Sequence, residues 1–278
     1  MTTPRPTVSE VRTLLTCASP AQLPALLARF KTDDRAGVAA SVASARRRLQ
    51  AFRTEERRLD RFATAQRELH DAGIAVVAGL DEVGCGALAG PVTAGAVILS
   101  VDCRIAGIDD SKRLTPARRE ELDREIRARA VAVSVAHVWP ADIDRIGIAR
   151  AVEVAMREAL ATLGTVVDHA LVDGRVSGLG LPTTSIVKGD GSVACIAAGS
   201  IVAKVARDAI MVGLEDEYPG YGFAHNKGYG SADHLAALAE RGPSAVHRRS
   251  YAPCSQPRLF QPDGEPASGR DAGDQPAG

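Results

Sequence analysis

The sequence predicts an α/β protein: a mixed β-sheet flanked by helices, preceded by a helical extension and followed by a polar tail. Three observations predict it. Apolar residues recur at helical spacing from Thr7 to about Gly73. Between residues 74 and 254, short β-branched runs bounded by glycine alternate with longer helical patterns. After residue 254 the chain turns to Pro, Gly, Asp and Ser, with too few apolar residues for a core. The boundaries are therefore 1–73 for the helical extension, 74–254 for the main domain and 255–278 for a disordered tail.

Each element has a local reason. Thr7 and Glu10 suit a capping box at the start of the first helix. Leu23, Leu26, Leu27 and Phe30 lie on one face of the next. A longer helix carries Leu49, Phe52, Leu59 and Phe62, with "RRR" at 46–48 plus Arg53, Arg57, Arg58 and Arg61. Such a basic face suits either solvent or a nucleic-acid backbone, and the sequence leaves both open. "IAVVAGLD" and "PVTAGAVILS" read as two strands joined by a glycine loop. Thr115 and Pro116 start a helix through "ARREELDREIRARA", as N-cap and first helical residue. There follow a strand "VAVSVAHV", one helix from about Ala141 to Leu163, a strand "DHALVDG" and a short segment "TSIVKGD". A helix rich in small residues runs from about Val193 to Glu217, and another from about Ala232 to Glu240. Strands paired first as a meander and then linked through helices make a mixed sheet.

Composition narrows the function. Lysine plus arginine and aspartate plus glutamate both number 34, so no global positive charge draws nucleic acid. Five scattered cysteines exclude a disulfide framework and point to a reducing compartment. No apolar run reaches membrane-spanning length. These features fit a cytoplasmic monomer with no membrane contact.

The chemistry concentrates in "AGLDEVGCGALAGPV", residues 78–92. Gly84, Gly86 and Gly90 miss the dinucleotide fingerprint, a strand rather than a helix follows, and no G-K-[ST] is present. Asp81 and Glu82 stand at the mouth of this loop. Asp173 ends "HALVD" and Asp190 lies in "VKGDGS"; each alone also suits a turn. Four carboxylates at the ends of sheet elements can converge on hard divalent cations. Paired Mg²⁺ or Mn²⁺ ions clamp the attacking and leaving oxygens of an in-line phosphoryl displacement. The glycines would let backbone approach a nucleic-acid strand closely. Asp208 follows Lys204 by four residues, which predicts a structural ion pair. His225, His234 and His247 match no common zinc spacing.

Taken in order, "GLDEVGCGALAGPVTAGAVIL", "DDSKRLTPARREEL", "LVDG", "IVKGD", "IAAGSIVAKVARD", "YPGYGF", "NKGYGS" and "HRRSYAP" resemble the motifs of bacterial ribonuclease HII. The resemblance covers about 74–254, and the helical segment before it resembles an extension found on some members. It implies a ribonuclease H-like sheet and an endoribonuclease dependent on Mg²⁺ or Mn²⁺. Its substrates would be RNA–DNA hybrids and duplex DNA with embedded ribonucleotides, cut 5′ of the ribonucleotide to leave 5′-phosphate and 3′-hydroxyl ends. By motif position the catalytic and metal-holding acids fall on Asp81, Glu82, Asp173 and Asp190. Gly84, Cys85, Gly86 and Tyr229 take the substrate-reading positions, the tyrosine packing on the sugar after the ribonucleotide. Lys112, Lys188, Lys227, Arg248 and Arg249 are candidates for phosphate contact.

The sequence departs from the family pattern at two reading positions. Cys85 replaces an arginine between glycines, and Asn226 replaces a histidine. Gly199 also sits within a helix, at a cost near 1 kcal/mol. The alternative reading is a hybrid-binding protein whose turnover is impaired by Cys85. In the tail, "QPRLF" (Gln256–Phe260) has the Q-x-x-L-F form of peptides that dock on bacterial sliding clamps, which makes such a clamp a candidate partner.

Overall fold

The computed structural model describes residues 5–255; most of the tail, with Gln256–Phe260, lies outside them. Helix α1 (Val8–Cys17) starts with the expected capping box: the Thr7 hydroxyl accepts the Glu10 N–H, and the Glu10 carboxylate accepts the Thr7 N–H. It packs with α2 (Leu23–Arg29) and the first half of α3 (Ala36–Phe62) around Val11, Leu15, Leu23, Leu27, Phe30, Val38, Val42 and Leu49. Burying each large apolar side chain contributes roughly 1.5–3 kcal/mol, so this small unit has a core of its own. The second half of α3 leaves that core. Leu59 and Phe62 join the core of the main domain instead, and α4 (Thr64–Asp71) follows. Phe52, expected on the buried face, is 41% exposed because α3 bridges the two cores at that point.

A five-stranded sheet organises the rest. Its strands are β1 (Val77–Val83), β2 (Val92–Ile98), β3 (Ala132–Val138), β4 (His169–Asp173) and β5 (Thr183–Ile186), in the order β3-β2-β1-β4-β5. The pairs β1–β2 and β2–β3 are antiparallel, while β1–β4 and β4–β5 are parallel. This is the ribonuclease H-like mixed sheet that the motifs imply. Helix α5 (Pro116–Arg129) begins where expected, with the Thr115 hydroxyl accepting the Arg118 N–H. One local expectation needs correction, and one unassigned segment takes form. The single helix expected at 141–163 is two, α6 (Pro140–Ile146) and α7 (Ile148–Ala161), because the chain breaks at Gly147 with φ +80°. The segment "TSIVKGD" contributes edge strand β5 and a 3₁₀ turn, Gly189–Gly191.

Helix α8 (Ala194–Glu217) lies against β1 and β2 and contributes Cys195, Ile196, Ala197, Ala198, Ile201 and Val202 to the core on that face. The contact is backbone to backbone. A Cβ on Gly79 would sit 2.1 Å from the Cys195 carbonyl carbon, and one on Gly95 would sit 2.3 Å from the Gly199 oxygen. Gly199 therefore offsets its helical cost by letting helix and sheet approach. Short helices α9 (Phe223–Asn226), α10 (Ala232–Arg241) and α11 (Ala252–Ser255) complete the chain. Among the described residues, no helix is long and apolar enough to cross a membrane.

Candidate active site

Parallel pairing places the first two acids. Strands β1 and β4 are in register through Leu80 and Val172, so Asp81 and Asp173 emerge side by side at the strand ends. Asp190 arrives on the 3₁₀ turn after β5, which is tethered by the Gly189 N–H donating to Asp173 Oδ1 at 2.7 Å. One carboxylate oxygen from each of Asp81, Asp173 and Asp190 lies within 4.8 Å of the others. Asp81 and Asp190 are buried. Burial first, then the charges of Glu82 and Asp173, push Asp81 up to about 8, against a hydrogen bond from Ser200. Burial, then Asp173 and Asp110, likewise raise Asp190. The Lys112 ammonium opposes this from 3.9 Å, on a side chain otherwise 76% exposed. Crowded carboxylates short of positive charge favour a bound cation. Three oxygen donors without sulfur or imidazole fit a hard divalent ion.

The structure does not bring Glu82 into that group. It lies beside them all the same: its charge helps raise Asp81, burial and then the Asp173 charge raise Glu82 itself, and its carboxylate accepts the Cys85 thiol at 3.6 Å. Burial and then Glu82 push that thiol up to about 12. The half-buried sulfur is thus a neutral donor and no nucleophile. Maleimide labelling near neutral pH should modify exposed Cys17 well before Cys85, read by mass spectrometry. Faster labelling of Cys85 would overturn this assignment.

The glycine loop is built differently from the expectation. Gly84 has φ +95°, and a Cβ there would lie 2.2 Å from Arg207 Nε; one on Gly90 would meet the Met211 sulfur at 2.2 Å. The missing side chains of these two glycines make room for α8. A Cβ on Gly86 would meet nothing within 4 Å, so that position is open.

Arg248 is a second correction. It is fully buried, donating to the Gly90 and Cys85 carbonyls and to the Tyr251 hydroxyl, so it braces the loop and is out of reach of a phosphate. Lys227 turns its ammonium back onto the Ala224 carbonyl. Arg249 is exposed, as is Lys188, which precedes the Asp190 turn in a left-handed conformation. Asp208 pairs with Lys204 at 2.7 Å as expected.

Arg207 went unread in the sequence. Fully buried on α8, it donates to Pro91 O, Ala89 O and Lys227 O, joining the glycine loop to the loop that carries Tyr229. Its guanidinium lies 5.3 Å from the centre of the Tyr229 ring. The signal was present: Arg207 sits four residues from buried Ala203 and four from buried Met211, an arginine at a core position. Asn226 also has a structural task, bonding Tyr221 O and the Gly228 N–H within the same loop.

Two buried histidines underpin that loop. The Ser244 N–H donates to His247 Nδ1, the two Nε2 atoms lie 3.0 Å apart, and His234 Nδ1 meets Tyr229 O at 2.9 Å. One proton order satisfies the chain: neutral His247 donates through Nε2, and neutral His234 donates through Nδ1. Burial and then His234 push His247 down to about 4, and burial lowers His234. A depressed folded-state pKa means the unfolded chain binds protons first as pH falls. This contribution to stability is therefore complete above about pH 6.5 and lost toward pH 4. Unfolding midpoints should fall across that window, and His247→Gln should flatten part of the fall. An equally steep profile in the variant would sink the assignment.

Comparison with known proteins places this geometry. A family model described as ribonuclease HII matches residues 78–254, and one described as the ribonuclease HII N-terminal domain matches residues 7–70. Ribonuclease HII of Geobacillus thermodenitrificans (strain NG80-2) is 45% identical over 224 residues, covering 81% of this chain and 86% of that protein. The crystal structure of ribonuclease H2 from Pyrococcus horikoshii OT3 matches with TM-score 0.59 at 25% identity, over 65% of this chain and 96% of that one. Ribonuclease HII of Archaeoglobus fulgidus, solved in complex with PCNA, matches with TM-score 0.54 at 29% identity, over 62% and 92% of the two chains.

Proposed function

Since the chain belongs to the ribonuclease HII family, and is thus a metal-dependent endoribonuclease, we propose that it cuts 5′ of ribonucleotides embedded in duplex DNA and hydrolyses the RNA strand of RNA–DNA hybrids. The observation that carries this reading is the cluster of Asp81, Asp173 and Asp190 at the ends of adjacent elements. These three would hold Mg²⁺ or Mn²⁺, with Glu82 beside them. When bound, such ions supply Lewis acidity and offset the charge that builds on a reacting phosphate. The chain's own residues do the positioning. Lys112 offers an exposed ammonium beside Asp190, open Gly86 lets a strand approach, and Tyr229, seated on Arg207, presents its ring to a sugar. Lys188 and Arg249 are exposed cations for the flanking backbone. We assign the chemistry to residues 74–254, with 1–73 as the helical extension.

The decisive experiment uses duplex DNA containing one ribonucleotide, incubated with Mg²⁺, with Mn²⁺ or with EDTA. A single metal-dependent cut 5′ of the ribonucleotide, leaving 5′-phosphate and 3′-hydroxyl ends, is expected. Tight binding without any cut would sink the proposal and favour the hybrid-binding alternative. For a partner, we extend to this chain the clamp contact of the archaeal relative, through Gln256–Phe260. A labelled peptide spanning those residues should bind the organism's sliding clamp saturably and lose binding when Leu259 and Phe260 become alanine. Binding indifferent to those changes would end the idea.

A further inference from the structure

We propose that Ser200 is a positioning residue for the acid cluster. Its buried hydroxyl orients the Asp81 carboxylate and seats the turn that carries Lys112; this rests on the reading that those acids hold metal. Ser200 lies in "IAAGSIVA", residues 196–203 of α8, as the one polar side chain in a run that is buried throughout. Alanine would fill nearly the same space without an oxygen. A buried hydroxyl costs stability unless it is partnered, so its partners identify its task. They are the Asp81 carboxylate, to which it hydrogen-bonds, and the Ser111 hydroxyl, whose oxygen is 2.9 Å away. Ser111 and Ser200 are each 3% exposed, so water does not compete for either.

The backbone explains why a helix residue reaches a strand-end acid. Asp81 and Gly79 project from the same face of β1, and a Cβ on Gly79 would strike the backbone of Cys195 and Ile196. One turn further along α8, a Cβ on Gly199 would sit 3.3 Å from Asp81 N and 3.1 Å from the Gly79 oxygen. These glycines bring α8 against the end of β1, and Ser200 follows directly.

On its other side Ser200 meets a turn closed by its own residues and by α5. The Asp110 carboxylate accepts the Lys112 N–H at 2.8 Å, and Arg119 donates to the Ser111 and Leu114 carbonyls. The Ser111 hydroxyl fastens this turn to α8, and from it the Lys112 ammonium reaches within 3.9 Å of Asp190. One hydroxyl therefore sets Asp81 and the lysine beside Asp190 in a common frame. Its single hydrogen has two acceptors. An ionised carboxylate can only accept, so when Asp81 holds a cation Ser200 donates to it. Ser111, which can donate as well as accept, then turns its own hydrogen to Ser200. Both oxygens stay in place.

The test measures Mn²⁺ binding to the full-length chain by calorimetry, with unfolding in EDTA as the control. Ser200→Ala should weaken Mn²⁺ binding by about 10-fold or more, the loss usual for an outer partner of a metal ligand. Ser111→Ala should weaken it less, since Ser200 still reaches the carboxylate. Raising Mn²⁺ in proportion should recover most of the cleavage that Ser200→Ala loses at low Mn²⁺. A hydroxyl pair that merely staples turn to helix would behave otherwise: the midpoint in EDTA would drop while Mn²⁺ affinity stayed the same. Unchanged Mn²⁺ affinity in Ser200→Ala, whatever its midpoint, would overturn the inference. Absence of Mn²⁺ binding by the unchanged chain would overturn the metal reading of the acids, and with it the proposed function.

Discussion

Asp173→Asn should lower single-turnover cleavage of a ribonucleotide-containing duplex by roughly 10³-fold, from the several kcal/mol that metal-held charge supplies. The substitution keeps the shape. An asparagine retains Oδ1 as acceptor for the Gly189 N–H, the bond that ties the Asp190 turn to the end of β4. What it removes is negative charge from a cluster already short of positive charge, where like charges raise both Asp81 and Asp190. Stability without metal should therefore hold or rise, because repulsion among the carboxylates is relieved. Asp208→Asn provides the contrast. Asp208 is paired with Lys204 and lies 3.8 Å from Arg119, outside the group of three acids. Its loss should change cleavage by less than about tenfold and lower the unfolding midpoint slightly. Equal losses of cleavage at Asp173 and Asp208 would show that the acids have been assigned wrongly.

The legible parts of this protein are those with local signatures. Thr7 with Glu10, and Thr115 with Pro116, announce helix starts because capping is settled within four residues. Asp81 and Asp173 could be read as strand-end acids because each follows an apolar run. The parts that escaped reading depend on distant partners or weak local patterns. Strand β5 is four residues long and carries two threonines and a serine, so no apolar alternation marks it; its pairing with β4 makes it a strand. Gly147 interrupts an apolar pattern that continues on both sides, and hydrophobic spacing alone therefore joins α6 to α7. Arg248 looks like any exposed cation in "HRRS". Its partners Gly90 and Cys85 lie 158 and 163 residues away, and no periodicity reports such a contact. Gly84 takes a substrate-reading position by its motif, and Gly90 belongs to the same glycine loop. Their actual neighbours, Arg207 and Met211, are visible only in the fold.

That last contact carries the second large expected effect. Gly84→Ala should destabilise the protein by on the order of 3 kcal/mol, combining the strain of a left-handed alanine with a clash in a packed interior. The added methyl would sit 2.2 Å from Arg207 Nε, so the guanidinium must move. When it moves, the Pro91, Ala89 and Lys227 carbonyls lose their donor, and Tyr229 loses the cation beneath its ring. Cleavage should fall along with stability, although neither residue touches the acids. Arg207→Met opens the same carbonyls, but it also removes a buried cation with no carboxylate within ion-pairing distance among the described residues, so its cost is partly offset. A flexible methionine can then make way for the methyl that Gly84→Ala adds. The double variant should be more stable than the two single losses predict when summed, by about 1–3 kcal/mol. Denaturant titrations of the four proteins would measure this coupling. Additivity within about 0.5 kcal/mol would mean that Gly84 is required for its backbone angle alone and that Arg207 does not occupy the space its missing side chain leaves.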